Sequence, residues 1–236
     1  MKRCLTLLLA AVCFFQCLCT QGSAGGPEQP FKGCVALTFD DGPSGPVTGK
    51  LLDALNARGV KATFFVCAYR VQQYPDMLCR AAGEGHEIGL HSCCHSYMHK
   101  MPRAEVAEDI TNCMQAVSEC CGVRPRLFRP PGGLYSGELL AAAKDEQLSV
   151  ILWSVDPQDW DPKNKNSIVS SVDKNGRPGS IILMHDLYDH CVTAAAEIID
   201  RLQKEGYVFC TVSELARFYG AELSPGGAYG NFPPSS

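Results

Sequence analysis

The sequence has no cluster of basic residues and no excess of positive charge. Its 21 lysines and arginines are outnumbered by 25 aspartates and glutamates, which gives a formal net charge of −4 and argues against a nucleic-acid-binding protein. No segment repeats at an interval of roughly 20–50 residues, so a solenoid is excluded. Beyond residue 24 there is no apolar run long enough to span a membrane. These absences leave a globular domain as the expected product.

The first 24 residues predict a secretory signal peptide. A short basic start, Met1–Arg3, precedes an uncharged apolar run of roughly 16 residues, and the small residues Gly22 and Ala24 occupy the positions that a signal peptidase reads. The run is shorter than the ~20 residues that a membrane anchor needs, and the residues before its cysteines fit a lipoprotein signal poorly. We therefore expect cleavage after Ala24, a secreted or extracytoplasmic protein at the cell envelope, and a short linker at 25–32.

Cysteine is abundant, but the sequence leaves its role open. Of fourteen cysteines, four fall within the predicted signal peptide and ten remain. An even number in an exported protein is typical of disulfides, whereas cysteines beside apolar runs are often small buried hydrophobic residues. The mature chain of about 210 residues can build its own core without disulfides. The ten are Cys34, Cys67, Cys79, Cys93, Cys94, Cys113, Cys120, Cys121, Cys191 and Cys210.

Short apolar, β-branched runs alternate with amphipathic segments along residues 33–220. Strands are predicted at CVALTF, ATFFV, EIGLH, RLFRP, VILWSV, SIILMH and YVFCTV, with helices between them that tend to close on a glycine. Continuous apolar strands separated by helices indicate a parallel sheet covered on its outer face. About seven such units predict an α/β fold, a deformed (β/α)7-type barrel in a single domain. An open sheet is the alternative, because a strand count does not prove closure. Residues 221–236, rich in Gly, Pro and Ser, are predicted to form a flexible tail.

Polar side chains stand where the predicted strands end. In a parallel barrel the carboxyl ends of all strands lie on one face, and catalytic sites form there. Residues that are far apart in the sequence are therefore expected to converge. The set comprises Asp40, Asp41, His91, His95, Arg129, Asp156, Asp159 and His185.

His91 and His95 could bind one metal ion together with Asp41. If the residues between the histidines form a helical turn, both imidazoles lie on one side. A carboxylate then completes a three-ligand site with an open position, which is typical of catalytic zinc. The alternative is a thiolate-rich structural site that uses Cys93 and Cys94. It is less favoured because the sequence has no second Cys-x-x-Cys pair.

A bound cation would give the adjacent carboxylates separate roles. Asp41 binds the ion, and Asp40 is left to accept a proton from water. The alternative, in which both merely cap a turn, is weaker because four other strands also end in polar residues. His185 suits a proton donor or else a buried histidine bonded to backbone, and Arg129 orients a carboxylate or forms an ordinary surface ion pair.

The motifs TFDDGP, HSCCH, RPPGG, DPQDW and LMH, in this order, resemble those of the polysaccharide deacetylases, the NodB-homology domain of carbohydrate esterase family 4. The likeness covers residues 33–219. It implies a deformed (β/α) barrel and metal-dependent removal of acetyl groups, usually from N-acetylglucosamine in peptidoglycan or chitin, with zinc as the usual ion.

The resemblance also implies a role for each motif residue. Asp40 would be the general base and His185 the general acid, with Asp41, His91 and His95 as metal ligands. The other implied roles are Arg129 and Asp159 as partners of the base and the acid, Trp160 as a wall of the substrate groove, and Leu183 as a border of the acetyl pocket.

One position departs from the family pattern. Many relatives carry an aromatic residue, usually tyrosine, where this chain has Gly132 in RPPGG. A backbone donor for the oxyanion survives, but the aromatic wall is lost unless Tyr135 partly replaces it. The choice among peptidoglycan, chitin and xylan is therefore left open.

Two other functions compete with an N-deacetylase. A catalytically silent carbohydrate-binding module on the same scaffold would need neither a base nor an acid. An esterase that removes O-linked acetyl groups, as from acetylated xylan, would pass through the same oxyanion, and fold alone does not choose between the two reactions. In each case the expected partner is a polysaccharide and the expected state is a monomer.

Overall fold

The framework is a parallel β-sheet whose strands coincide with the apolar runs of the sequence. The computed structural model describes residues 30–234, so the predicted signal peptide (1–24) and most of the linker (25–32) lie outside the described residues. β1 is buried along its whole length, which is why it reads as a continuous apolar run. All seven predicted strands are present: β1 (Gly33–Asp40), β2 (Thr63–Val66), β3 (Glu87–Leu90), β4 (Leu127–Phe128), β5 (Ser149–Ile151), β6 (Ile181–His185) and β7 (Tyr207–Phe209).

The sheet curls into an incomplete barrel. Its strands run in the order β6-β1-β2-β3-β4-β5, all parallel, and β7 pairs with the first residues of β1. Beyond β5, Val155 forms an isolated parallel bridge with Ile182 of β6, and its carbonyl accepts a hydrogen bond from Leu183 N at 2.9 Å. The two ends of the sheet therefore meet through one bridge rather than a full ladder, and the predicted deformed α/β barrel in a single domain is confirmed.

The prediction of a flexible tail over 221–236 was wrong for its described part. Ala228–Tyr229 form an eighth strand, β8, parallel to β5, and Leu152 N donates to Tyr229 O at 2.7 Å. Phe232 is buried. The low apolar content of the segment suggested disorder, but its backbone hydrogen bonds satisfy the edge of β5 that the incomplete closure leaves open.

Helices cover the outside of the sheet in the predicted places, and their glycine stops are confirmed. Gly122 ends the longest helix with a φ of 70°, and Gly59, Gly85 and Gly206 also have positive φ. Two short helices, the second and the last, were not predicted from the sequence. The helices are α1 (Pro46–Asn56), α2 (Ala68–Gln73), α3 (Pro75–Gly83), α4 (Arg103–Cys121), α5 (Gly137–Asp145), α6 (Ile168–Asn175), α7 (Asp189–Lys204) and α8 (Val212–Phe218).

Half of the ten cysteines in residues 30–234 are buried in the core. Cys34, Cys67, Cys113, Cys191 and Cys210 are buried, and all ten cysteines of the described part have free thiols. Burial without pairing agrees with the hydrophobic interpretation of cysteine. Within residues 30–234 no helix is both long enough and apolar enough to cross a bilayer.

Candidate metal and acid-base centre

Asp40 and Asp41 are adjacent carboxylates that reach one site from different backbone conformations. Asp40 ends β1 and is buried, whereas Asp41 has a φ of 72°, a left-handed conformation that Asp adopts more readily than most residues. Asp40 Oδ2 lies 3.7 Å from His91 Nε2, and Asp41 Oδ1 lies 3.3 Å from the same nitrogen. The change of backbone conformation at the strand end therefore brings both carboxylates to one imidazole.

Asp41, His91 and His95 converge as a group that fits a divalent metal ion. Asp41 Oδ1 lies 3.3 Å from the Nε2 atom of each histidine, and the three potential ligand atoms all lie within 4.8 Å of one another. The Asp41 oxygen is buried and has no hydrogen-bond partner. A buried, unpaired carboxylate oxygen beside two imidazole nitrogens is a ligand set suited to a transition-metal cation, so these residues fit the ion that the resemblance implies.

The tautomer of His91 is fixed by its neighbour. His91 Nδ1 lies 2.7 Å from the carbonyl oxygen of Arg129. Because a carbonyl only accepts hydrogen bonds, Nδ1 carries the proton and Nε2 keeps its lone pair. Orientation of a histidine ligand through its second nitrogen is a common feature of metal sites.

The segment between His91 and His95 does not form the helical turn that was the stated condition for a shared metal site. The segment is an irregular loop in which Ser92 and His95 have φ values of 74° and 57°. Helix α4 holds this loop, because Cys93 N donates to Asp109 Oδ1 at 2.9 Å and Cys113 Sγ donates to Ser92 O at 3.4 Å. Two left-handed residues, rather than one turn of helix, bring the histidine rings together.

The thiols of the loop do not form a metal site. Cys93 Sγ donates to Asp109 O at 3.3 Å, and burial raises the pKa of Cys93 to about 12, which disfavours the thiolate that a metal needs. Cys94 is exposed. The one group of three potential ligands found in residues 30–234 contains no cysteine.

Arg129 is fully buried and joins β4 to Asp40. Its Nη1 donates to Asp40 Oδ1 at 2.7 Å and to Thr38 Oγ1 at 2.8 Å, and its other nitrogens donate to the carbonyls of Ile151 and Leu152. Burial lowers the pKa of Arg129 and Asp40 opposes this change. With every nitrogen hydrogen-bonded, the buried ion pair holds the Asp40 carboxylate in one position.

His185, which is partly buried, forms a second pair beside Asp40 with the buried Asp159. His185 is paired with Asp40 across the β1–β6 ladder. Its Nδ1 donates to Asp159 Oδ1 at 2.7 Å, and its backbone N donates to Asp159 Oδ2 at 2.8 Å. Burial lowers the pKa of His185, but the Asp159 carboxylate, helped by Asp40 and Asp41, outweighs burial and raises it to about 9. The imidazole is therefore protonated at neutral pH.

The predicted substrate residues differ in their exposure to solvent. Leu183 is buried in β6, two residues before His185 and thus on the same side of the strand. Trp160 and Tyr135 are 52% and 43% exposed. Asp156 has a local role, since its Oδ1 accepts a hydrogen bond from Gln158 N at 2.8 Å.

Two residues near the site were missed by the sequence analysis. A Cβ added to Gly132 would lie 2.8 Å from Tyr97 Cε1, so the ring over this turn belongs to Tyr97. Asp186 is buried against Gly42, where an added Cβ would lie 2.2 Å from its Oδ1. Only glycine fits at Gly42, and Asp186 thereby supports the turn that follows Asp41. Tyr97 follows His95 by two residues in the sequence, and this was the available signal that its side chain lies near the predicted metal ligands.

The fold and the polar side chains at its mouth define an α/β barrel protein with a group of three residues, Asp41, His91 and His95, that could hold a metal ion. Comparison with known proteins gives the family: the polysaccharide deacetylase family model matches residues 28–151. The chain belongs to the polysaccharide deacetylase family.

Two curated relatives show how far the similarity extends. A peptidoglycan-N-acetylmuramic acid deacetylase, PdaC of Bacillus subtilis, is 41% identical over 186 residues, which cover 79% of this chain and 39% of that protein. A peptidoglycan-N-acetylglucosamine deacetylase of Bacillus cereus is 39% identical over 189 residues, covering 78% of this chain and 88% of that protein. The chain spans about two fifths of the length of the first relatives that it matches.

Solved structures agree with the fold. The structure described as T48 deacetylase with substrate has a TM-score of 0.79 at 35% identity, covering 84% of this chain and 96% of that one. A family 4 acetyl xylan esterase from Clostridium thermocellum, in complex with a cobalt ion, has a TM-score of 0.78 at 33% identity, covering 85% and 99%. One neighbour is thus described as a deacetylase and the other as an acetyl xylan esterase.

Proposed function

We propose that this protein is an exported, zinc-dependent hydrolase that removes acetyl groups from N-acetylglucosamine residues of a polysaccharide, peptidoglycan or chitin oligomers, and releases acetate. The observation that carries the proposal is the placement of the unpaired Asp41 oxygen and two histidine nitrogens within 4.8 Å of one another, next to an oriented carboxylate, Asp40, and a protonated imidazole, His185. Relatives described as peptidoglycan and chitooligosaccharide deacetylases support the substrate class.

The metal-binding residues would hold the cation and leave a position for substrate. Asp41, His91 and His95 supply one oxygen and two nitrogens. When bound there, the ion supplies a Lewis acid that polarises the acetyl carbonyl and increases the acidity of water. Zinc suits this mixed oxygen and nitrogen set.

Asp40 is suited to act as the general base. Arg129 occupies its Oδ1, and its Oδ2 lies on the side of His91, at 3.7 Å from Nε2. Oδ2 is therefore the atom that accepts a proton from the attacking water. General-base assistance of this kind contributes roughly 10²–10⁴ in rate.

His185 is suited to act as the general acid. Its Nδ1 is bonded to Asp159, so the proton available to substrate is the one on Nε2. A pKa of about 9 keeps that proton on the ring at neutral pH. The leaving nitrogen takes the proton as its bond to the acetyl carbon breaks.

The turn at residues 131–133 supplies the donor for the oxyanion. Pro130 and Pro131 have no N–H group, and Gly133 N donates to Pro130 O at 2.9 Å. The Gly132 N–H is therefore the amide of this turn proposed to stabilise the oxyanion.

Acetate release tests the proposal. Purified protein lacking residues 1–24 is stripped of metal, reloaded with zinc, and given N-acetylglucosamine oligomers and peptidoglycan, with Asp40→Asn as the matched variant. Zinc-dependent acetate that falls at least about 100-fold in Asp40→Asn is expected. Zinc binding without acetate release from these substrates or from acetylated xylan would instead favour a silent carbohydrate-binding module.

An O-acetyl esterase is the second candidate, because one structural neighbour is described as an acetyl xylan esterase. The same base, acid and oxyanion donor would serve an ester. Acetylated xylan in the same assay separates the two candidates. Turnover of xylan with a kcat/KM above that for N-acetylglucosamine oligomers would favour the esterase.

A further inference from the structure

The Tyr97 ring lies in the space that a side chain at Gly132 would occupy, at the surface of the centre. Because a Cβ on Gly132 would lie 2.8 Å from Tyr97 Cε1, the missing side chain at Gly132 provides the space for the ring. Gly132 has a φ of +66°, a backbone conformation that side chains disfavour. The ring and the turn beneath it therefore form one continuous surface.

The Tyr97 ring is held in place but remains half in solvent. It contacts the His95 ring edge-on, with centroids 5.7 Å apart and an interplanar angle of 85°. The following residue, Met98, is fully buried, so the backbone behind the ring is anchored in the core. Tyr97 is nevertheless 55% exposed. An anchored, exposed aromatic ring beside a metal-binding histidine is a surface suited to a ligand.

We propose that Tyr97 forms a sugar-binding wall on the metal side of the centre and stacks on the apolar C–H face of the pyranose ring that carries the acetyl group. The inference rests on the proposed function, since it assigns the surface that the same substrate would meet. The acid side has an exposed aromatic of its own, because Trp160, 52% exposed, directly follows Asp159. Each half of the centre thus has one exposed aromatic next to a functional side chain.

The test compares Tyr97→Ala and Tyr97→Phe with the wild-type protein on N-acetylglucosamine oligomers. Tyr97→Ala should raise KM roughly tenfold, the equivalent of one aromatic stacking contact, with kcat and zinc affinity within about twofold. Tyr97→Phe keeps the ring and should stay within about twofold in KM. Phe218→Ala is the matched control and should leave KM nearly unchanged, because Phe218 is also an exposed aromatic residue but packs against Phe31, before the start of β1 and away from Asp40.

Unchanged KM in Tyr97→Ala, with an active wild-type protein, overturns the inference and leaves the proposed function intact. Loss of zinc binding in Tyr97→Ala also overturns it, because the ring would then act by positioning His95. Oligomer binding to Asp40→Asn protein, measured by calorimetry with and without Tyr97→Ala, tests the wall without turnover. If wild-type protein releases no acetate, the proposed function fails. Oligomer binding that is tenfold weaker in Asp40→Asn/Tyr97→Ala than in Asp40→Asn would still support the sugar-binding wall. Equal binding by the two variants, or no binding by either, overturns the inference.

A second, independent observation concerns two thiols on helices α3 and α4. Cys79 Sγ lies 3.7 Å from Cys120 Sγ and donates to Cys120 O at 3.2 Å. Cys79 is exposed and Cys120 is half-buried. A disulfide requires sulfurs about 2.05 Å apart, so the two thiols are neighbours but are not bonded.

We infer that Cys79 and Cys120 are a disulfide-forming pair that reacts with a small disulfide such as oxidised glutathione. The exposed Cys79 thiolate attacks that disulfide, forms a mixed disulfide and releases one thiol. Cys120 then attacks the Cys79 sulfur and releases the second thiol, so the two cysteines lose two electrons and the small disulfide gains them. Cys79 is the first nucleophile because its thiol is exposed, whereas Cys120 is half-buried. This inference is independent of the proposed function.

Purified protein treated with oxidised glutathione tests the pair by non-reducing peptide mapping and calorimetry. The expected product is one Cys79–Cys120 cross-link with a Tm about 5–10 °C higher than that of the reduced protein. Cys121→Ser should form the same cross-link, and Cys79→Ser should show neither cross-link nor shift. A lasting glutathione adduct on Cys79, or a cross-link from Cys79 to Cys121, overturns the inference.

Discussion

The two halves of the centre differ in how their polar atoms are satisfied. In the metal half, Asp41 Oδ1 is buried without a hydrogen-bond partner and faces two imidazole nitrogens at 3.3 Å. In the acid-base half, Asp40 is paired with Arg129 and His185 with Asp159, both at 2.7 Å. The first half presents a ligand oxygen with no hydrogen-bond partner within the described residues, and the second half satisfies its own charges. Substitutions should therefore affect ligand binding in one half and folding in the other.

The largest expected effect is on stability, from Arg129→Met. The change leaves the Asp40 carboxylate buried and unpaired, which should lower the free energy of unfolding by about 3–5 kcal/mol. Urea denaturation of metal-free protein measures it. The double variant Arg129→Met/Asp40→Asn should recover part of the loss, because its buried charge is also removed. If Arg129→Met and wild-type protein were equally stable, the Arg129–Asp40 ion pair would not contribute to the free energy of unfolding.

The next effect concerns metal affinity, from Asp41→Asn. Replacing the ligand oxygen should weaken zinc binding at least about 100-fold, since even partners outside the ligand set change affinity 10–100-fold. The free energy of unfolding without metal should fall little, because the Asp41 Oδ1 atom has no hydrogen bond to lose. Competition with a chromogenic chelator gives the affinity, and urea denaturation gives the stability. A large fall in the free energy of unfolding of metal-free Asp41→Asn protein would contradict the proposed difference between the two halves of the centre.

A smaller effect is a shift of pH dependence in Asp159→Asn. The folded-state pKa of His185, raised to about 9, lies above its ordinary value of 6.5. The stability from this pair is therefore fully present below pH 6.5 and is lost as pH rises through about 9. Asp159→Asn should lower the pKa of His185 and move the basic limb of kcat to lower pH. NMR titration of the His185 ring and the pH–rate profile check this; an unchanged basic limb would exclude His185 as the acid.

The smallest effect is expected for an exposed ion pair. Arg103 and Asp145 form a salt bridge with side chains 48% and 52% exposed. Arg103→Ala should change the free energy of unfolding by less than about 1 kcal/mol, because solvent screens the pair. It is the matched arginine control for Arg129→Met. If Arg103→Ala lowered the free energy of unfolding as much as Arg129→Met does, burial would not explain why the two ion pairs differ in strength.

The strands and the polar strand ends were predictable because both depend on local patterns. Asp40 and His185 end adjacent strands, and Arg129 directly follows another, so a parallel sheet must place them at one edge. The loop between His91 and His95 was not predictable, since its left-handed residues are held by Asp109 and other groups of α4. Tyr97 was missed because nothing in its own sequence context shows that Gly132 lies beneath its ring.

The sequence by itself determined the parallel α/β framework, the glycine helix stops and the identities of the residues at the strand ends. Periodicity, composition and backbone preference act over a few residues and can be read along the chain. The tertiary structure decided how the sheet closes through Val155, that the segment around β8 joins its edge, and which carboxylate is left unpaired. Each of these depends on packing and hydrogen bonds between residues that are distant in sequence, and burial there sets the electrostatics of the centre.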